Sequence, residues 1–445
     1  MGAWKAWPKL LPLLACLLLA GEAAGLAAQF DRDLTAFIIV AILQGIVWAA
    51  AAAVVTRSAD RRPTLALILG TAILLRLFAL SAPVFLSDDI NRYIWDGRVQ
   101  AAGINPYRYI PTDPDLTRLR DDAIYPNINR NNYAPTIYPP VAQMLFLLAN
   151  RVGETVLAVK LVFVGFEAVG IGALLLVLRA AGEPREHILL YAWHPLPIWE
   201  IAGSGHVDAA VVGFTATALA ATVHGRRGWS GAALAAATLV KLFPLVLAPA
   251  LWRPRRSNIG DWRWPAIFIA VIVAAYLPYI GVGSRVLGFL QGYVAEENLV
   301  SGTGFWVLDT IRRAAPMPLA AYLGLSIAVM AGLTIGALRR PTNPRSSLPW
   351  ATALGTAALF FTSPHYPWYF VWLVALLTAA PWWPAWWLTL AAVLLYWDAR
   401  TGHMPFWVGF TVYGGFVILG AVDMAHRFLF AARGPEARHD VDHAV

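Results

Sequence analysis

Cysteine is all but missing from this chain: Cys16 stands alone among 445 residues, and only 13% of the residues are charged. A single cysteine excludes an intramolecular disulfide and any cysteine-held metal cluster. The charge content is about half the ~25% usual for a soluble domain. Three chemical signatures are absent as well. There is no phosphate-cradling glycine loop closed by Lys-Ser/Thr, no His-Glu-x-x-His zinc pair and no Gly-x-Ser-x-Gly nucleophile turn. No soluble nucleotide-binding domain accompanies the rest, so an activated group would come from a lipid rather than a cytoplasmic nucleotide.

What the chain has instead is apolar sequence. It is 59% hydrophobic, and many runs approach the ~20 residues that carry a helix across a bilayer. Twenty tryptophans and fifteen tyrosines suit interfacial belts. The expected fold is an all-α polytopic membrane protein forming a single integral-membrane domain over residues 1–445. Net charge is +8. In such a protein basic clusters orient helices toward the cytoplasm, and nucleic acid is not an expected partner.

Lys5 and Lys9 precede an apolar run over 10–28, read as an uncleaved first helix. A second span covers 34–55, and Arg57, Arg61 and Arg62 mark a cytoplasmic turn before a third span over 64–82. Residues 83–137 then fall outside the cytoplasm, and a loop of that length usually has a function of its own. The run 141–150 is too short to cross and is expected to lie at the outer interface. Further spans are expected over 155–178, 187–199, 209–223, 265–283, 319–338 and 348–362, with three more before a cytoplasmic tail at 431–445. A second external loop covers 284–316. Residues 232–251 are ambiguous: basic residues flank both ends, and Lys241 and Pro244 sit in the middle. A re-entrant pair of half-helices satisfies both flanks; a plain span with one exception to the charge rule is the alternative. The sum is roughly a dozen crossings with both termini inside.

The chemistry concentrates in Ser87-Asp88-Asp89-Ile90-Asn91-Arg92-Tyr93-Ile94-Trp95-Asp96-Gly97, running on to Gly103-Ile104-Asn105-Pro106-Tyr107. Ser87 can cap a helix whose first turn holds two carboxylates. Asp89, Arg92, Asp96 and Gln100 form a polar stripe, and Ile90, Ile94, Gly97 and Ala101 a less polar one. A capped amphipathic helix with internal ion pairs accounts for the same pattern, but beside a bilayer such a cluster points to a site. Tyr138, Glu200, His206, Asp208, Arg312, Arg313, His365 and Tyr366 map to the same external face. Lys241, inside an apolar run, needs an anion or carbonyls.

These residues carry a resemblance. The pattern Ser-Asp-Asp-x-x-Arg-Tyr-x-Trp-Asp-Gly-Arg-x-x-x-x-Gly-x-Asn-Pro-Tyr at 87–107 resembles the first external loop of GT-C superfamily glycosyltransferases, bacterial polyprenyl-phosphate-mannose-dependent mannosyltransferases in particular. Tyr138-Pro-Pro, Gly205-His206-x-Asp208, Lys241-x-x-Pro244 and His365-Tyr366-Pro367 are similar to further landmarks of that group in the same order. The resemblance spans about 65–372. It implies a GT-C-type fold in a bacterial plasma membrane, with the active site on the external face. It also implies an inverting transfer of a sugar, mannose by analogy, from a polyprenyl-phosphate donor to a hydroxyl of a lipid-linked or cell-envelope glycan. Asp89 is the implied general base, with Asp88 next in line. Lys241, Arg92 and His365 are implied at the donor phosphate; Tyr138, His206, Asp208, Tyr366 and Asp96 are implied around the substrates. No metal ligands are assigned, and a divalent ion is left open. A lipid-linked-sugar flippase and an envelope ligase or acyltransferase are the rival readings. The first predicts polar residues along a path through the membrane, the second a histidine base.

Overall fold

Helix is what an apolar chain adopts when its backbone N–H and C=O groups have to be satisfied without water. The computed structural model describes residues 10–57, 62–253, 259–341, 343–397 and 405–432 of the protein, and no strand occurs among them. Lys5, Lys9, Arg61, the break near residue 398 and the chain beyond 432 lie outside that set. The first three helices are α1 (Leu11–Phe30), α2 (Leu34–Arg57) and α3 (Arg62–Ala79). Then come α4 (Asp89–Ala101), α5 (Pro140–Val152), α6 (Val156–Ala181), α7 (Asp208–Val223) and α8 (Arg227–Thr238). The second half holds α9 (Arg263–Tyr276), α10 (Leu290–Glu296), α11 (Trp306–Ala314), α12 (Leu319–Arg339), α13 (Ser347–Thr362), α14 (Val371–Ala379), α15 (Trp383–Ala391) and α16 (Gly415–Ala432).

Six described stretches are long and apolar enough to cross a bilayer: Leu11–Phe30, Leu34–Arg57, Val156–Ala181, Arg263–Glu296, Leu319–Arg339 and Phe406–Leu429. The protein is therefore an all-α, multi-pass membrane protein. Its outer faces are apolar where a soluble protein's would be charged: Ile73, Leu74, Leu77 and Phe78 on α3 and Leu325, Ile327 and Ile335 on α12 are exposed. Such a surface suits lipid.

Two segments are broken. Residues 187–199, expected to be one short span, fall within helical turns over 185–203 that end in a π-helical turn over Ile198–Gly203. Pro195 and Pro197 cannot donate backbone hydrogen bonds, so a regular helix cannot run through them. The second break is at Lys241. Helix α8 stops at Thr238, and the chain resumes in 3₁₀ geometry over Phe243–Leu247, continuing helically over Ala248–Leu251. Both ends of this pair return to one place: Arg227 pairs with Asp261, and Arg340 donates to the Pro249 carbonyl at 2.9 Å. The tip holds Lys241 next to Asp208, at the start of α7.

Polar residues are not confined to one end. Arg76 on α3 makes a two-pronged ion pair with Glu167 on α6, at 2.9 and 2.8 Å, and the Tyr191 hydroxyl donates to the same carboxylate at 3.1 Å. Gln44 donates to Glu22 at 3.0 Å, and Lys160 donates to the Ala82 carbonyl at 2.6 Å. These groups are buried and satisfy one another across helices, which is how a packed bundle carries charge. They tie the helices to one another.

Candidate functional site

The stretch around Asp89 forms helix α4, with small differences from expectation. The helix begins at Asp89, so only that carboxylate lies in the first turn. Ser87 Oγ accepts the Asp89 N–H at 3.2 Å, while Asp88 occupies the cap position with its side chain turned outward. At the far end Gly103, with φ +76°, lets the chain leave the helix. The less polar stripe of α4 packs on α5. A Cβ at Gly97 would collide with the Phe146 carbonyl, so only glycine permits this approach.

The rest of the loop is tied down by its own motif residues. Tyr107 donates through its hydroxyl to the Tyr138 carbonyl at 2.7 Å, fixing the Tyr-Pro-Pro turn. Asn105 donates to the Tyr279 carbonyl at 3.0 Å, and the Phe289 N–H donates to the Thr136 carbonyl at 3.0 Å. The first long loop and the segment before α10 are thereby joined into one wall.

Between them lies a cleft of about 510 Å³. Asp88 and Asp89 form one side, with Asn129, Arg130 and Tyr138; Lys241 lies on another; Tyr293, Glu296 and Glu297 close it from the second loop; Tyr366, Trp368 and Tyr369 complete it. Asn129 Nδ2 sits between the paired carboxylates, 3.2 Å from Asp88 Oδ1 and 2.7 Å from Asp89 Oδ1. Asp88 is exposed at the mouth and Asp89 is half-buried. Burial, and after it the charge of Asp88, pushes the Asp89 carboxyl above its ordinary range; Lys241, Asn129 and Arg130 pull it back. An ionisable group so placed in a cleft is a candidate for proton chemistry.

The cations are held by partners of their own. Lys241 Nζ lies 2.6 Å from Asp208 Oδ2 and 4.8 Å from the centre of the Tyr369 ring. Arg130 pairs with Glu296 at 2.6 Å. Behind Asp89, buried His206 stacks on Trp368 at 4.2 Å, and Trp368 in turn stacks on Tyr366 at 4.6 Å. Among the described residues, no group of three or more His, Cys, Asp or Glu side chains is placed to hold a metal ion.

The cleft thus gathers Asp88, Asp89, Lys241, Tyr138 and Tyr366, with His206 and Asp208 directly behind it. Two expected phosphate ligands are elsewhere. Arg92 is buried in an ion pair with Asp96 at 3.0 Å and donates to the Ala134 carbonyl at 3.2 Å. Asp96 also accepts from Gln143 at 3.0 Å, so the pair locks α4 to the loop and to α5. His365 is stacked on Trp306 at 4.1 Å and bonded to the Gly304 carbonyl, where it braces the second loop. Arg313 pairs with Asp309, and Arg312 donates to the Met317 carbonyl. Asn129, Arg130, Tyr293, Glu296 and Glu297 escaped the sequence reading; Asn129 and Arg130 lie in the asparagine-rich stretch 127–132, which was the one available signal.

Residues 18–253, over half of the chain, match the MptA/MptB family described as "Alpha-(1->6)-mannopyranosyltransferase, N-terminal domain", and the chain belongs to that family. Among curated proteins none matches it. The matched region contains Asp88, Asp89, Tyr138, His206, Asp208 and Lys241, and ends before the second loop and the Tyr366 turn. Family membership makes the protein a membrane glycosyltransferase that moves a sugar from a polyprenyl-phosphate donor to a glycan acceptor. This decides against the flippase and ligase readings.

Proposed function

We propose that the cleft over Asp89 is the active site, and that it transfers mannose to a hydroxyl of a lipid-linked or envelope glycan with inversion at the anomeric carbon. The linkage suggested by the family description is α-(1→6). The observation that carries this reading is the meeting of Asp89 and Lys241 in one cleft, a carboxylate facing a cation from a distant part of the chain. Asp89 takes the proton of the acceptor hydroxyl as the oxygen attacks the anomeric carbon. The bond from that carbon to the lipid phosphate breaks, and its electron pair leaves on the phosphate oxygen. Lys241 is the cation best placed to meet that charge, with Arg130 second. Aromatic faces of Tyr366, Trp368, Tyr369 and Tyr293 suit stacking against sugar rings.

We further propose a GT-C-type arrangement with roughly a dozen crossings, in which residues 227–251 form a re-entrant hairpin that delivers Lys241 to the site. Arg227, Arg253 and Arg340 line a second pocket that shares no residue with the cleft. On the charge rule this supports a cleft on the external face of a bacterial plasma membrane. The test is direct. Purified protein given polyprenyl-phosphate mannose and an oligomannose acceptor should release polyprenyl phosphate and lengthen the acceptor by one hexose. Translocation of the lipid between leaflets with no transfer would overturn the reading.

A further inference from the structure

Among the described residues, His206 finds no hydrogen-bond partner for either ring nitrogen, although the ring is fully buried. Buried polar groups are nearly always bonded, so an orphan of this kind calls for a reason. Each nitrogen faces a carboxylate. Nδ1 lies 3.9 Å from Asp89 Oδ2, and Nε2 lies 3.4 Å from Glu200 Oε2. Glu200 is buried too, and both its oxygens sit 2.8 Å from the Tyr396 hydroxyl. Trp368 stacks on one face of the ring.

The backbone has been bent to make this line. Glu200 belongs to the π-helical turn Ile198–Gly203, a geometry that recurs at functional sites. Gly205, at φ +75°, then turns the chain so that the His206 N–H donates to the Glu200 carbonyl at 2.9 Å. The charged and titratable neighbours of the line are few. Asp89 is faced by Asp88, Lys241 and Arg130, with the Asn129 amide bonded to it; Tyr93 and Tyr138 stand beside it. Lys241 also faces His206 and Glu200, and Asp208 faces Glu200.

Given Asp89 as the base, we propose that His206 and Glu200 form a proton store behind it, with Tyr396 orienting Glu200. In the neutral ring the proton sits on Nε2, toward Glu200, and the Nδ1 lone pair points at Asp89. In the transfer step Asp89 Oδ2 takes the acceptor's proton and passes it on to Nδ1, while the Nε2 proton passes to Glu200 Oε2. Asp89 is ionised again and Glu200 is neutral; no charge is created or lost. The transfer requires Glu200 to start ionised, a form that the Tyr396 hydrogen bond and the charge of Lys241 favour against its burial. After the products leave, the protons return by the same line, and Asp89 releases one to water in the cleft. The device keeps Asp89 ionised while the glycosidic bond forms.

The experiment is a proton inventory on single-turnover mannosyl transfer in mixtures of light and heavy water. Wild-type enzyme is expected to give a curved plot, from more than one proton moving in the transfer step. His206→Gln should give a straight plot, with a rate lower by about tenfold or more and the KM for donor and acceptor within about twofold. Tyr396→Phe keeps the ring and should fall between the two, which preserves the test if the glutamine variant does not fold. A straight wild-type plot, or a His206→Gln enzyme altered in KM alone, would overturn the proposal. An active Asp89→Asn enzyme would instead remove the base assignment itself, so the two failures are told apart.

Discussion

Lys241 Nζ meets Asp208 Oδ2 across 2.6 Å, at the tip of one broken segment and the start of helix α7. Without donor, the cation is paired with a buried carboxylate whose other oxygen has no hydrogen-bond partner among the described residues. On the proposed reading, a lipid phosphate entering the cleft has to share or replace Asp208. Lys241 would then be held in position by the same partner with which the substrate competes.

Truncating one side of a buried pair leaves an unpaired charge, typically at a cost of about 3–5 kcal/mol. Lys241→Met is expected to weaken donor binding and also to lower thermal stability. The double variant Lys241→Met/Asp208→Asn removes the orphaned charge, so stability should recover while donor affinity does not. Isothermal binding of a polyprenyl-phosphate sugar and thermal unfolding in detergent read the two effects separately. Wild-type affinity in the double variant would leave Lys241 a structural residue.

Arg92 should behave in the opposite way. It is buried, spent on Asp96 and the Ala134 carbonyl, and away from the cleft. Arg92→Met is expected to destabilise through the abandoned Asp96 and leave donor affinity unchanged in the protein that folds. A selective loss of donor binding with full stability would return Arg92 to the phosphate.

How far the sequence carried these assignments depended on how local each interaction is. Helix α4, its stop at Gly103 and the break beside Pro244 follow from neighbouring residues, and they were legible. The partners of Arg92 were half legible: Asp96 is one helical turn away, but the Ala134 carbonyl is set only by the folded loop. Arg76 with Glu167 and Arg130 with Glu296 join residues 91 and 166 positions apart, and no periodicity reports such a distance. The second loop supplies Tyr293, Glu296 and Glu297 through backbone ties to Thr136, which leave no trace in side-chain pattern. The run 187–199 misled because its hydropathy is that of a span while its two prolines forbid one regular helix.

Sidedness has a simple check. Thr117 is exposed on the first long loop, and Cys16 is the only native thiol. A Thr117→Cys protein lacking Cys16 should react with a membrane-impermeant maleimide in intact cells or spheroplasts. Reaction only after lysis would place the cleft on the cytoplasmic side and invert the proposed topology.

Asn129 is the wedge between two like charges, and its hydrogen bond favours the ionised form of Asp89. Asn129→Ala removes that bond, so the Asp89 carboxyl should hold its proton to a higher pH. Because the base works only when ionised, the acidic limb of the kcat/KM profile should move upward. Asp88→Asn removes the neighbouring negative charge and should move the same limb downward. A limb that stays fixed in both variants would mean that it reports some group other than Asp89.

The sharpest prediction concerns Asp89 itself. Asparagine keeps the size and accepts hydrogen bonds, but cannot take a proton from the acceptor hydroxyl. Loss of a general base typically costs about a hundred- to ten-thousandfold in rate. Asp89→Asn is expected to lose activity on that scale with donor binding near wild type, because Lys241 and the aromatic walls are untouched. Its stability should hold or rise: a carboxyl raised by burial costs more when ionised, so replacing it with a neutral amide relieves strain at neutral pH. Asp88→Asn should cost far less, since Asp88 is exposed at the mouth of the cleft and Asp89 lies deeper. Activity measured as polyprenyl phosphate released, alongside donor binding and unfolding, distinguishes a base from a helix-start residue, for which asparagine would serve nearly as well. An inactive Asp88→Asn beside an active Asp89→Asn would move the base one residue earlier. Near-normal transfer by both single variants and by the double variant would take this loop out of the chemistry altogether.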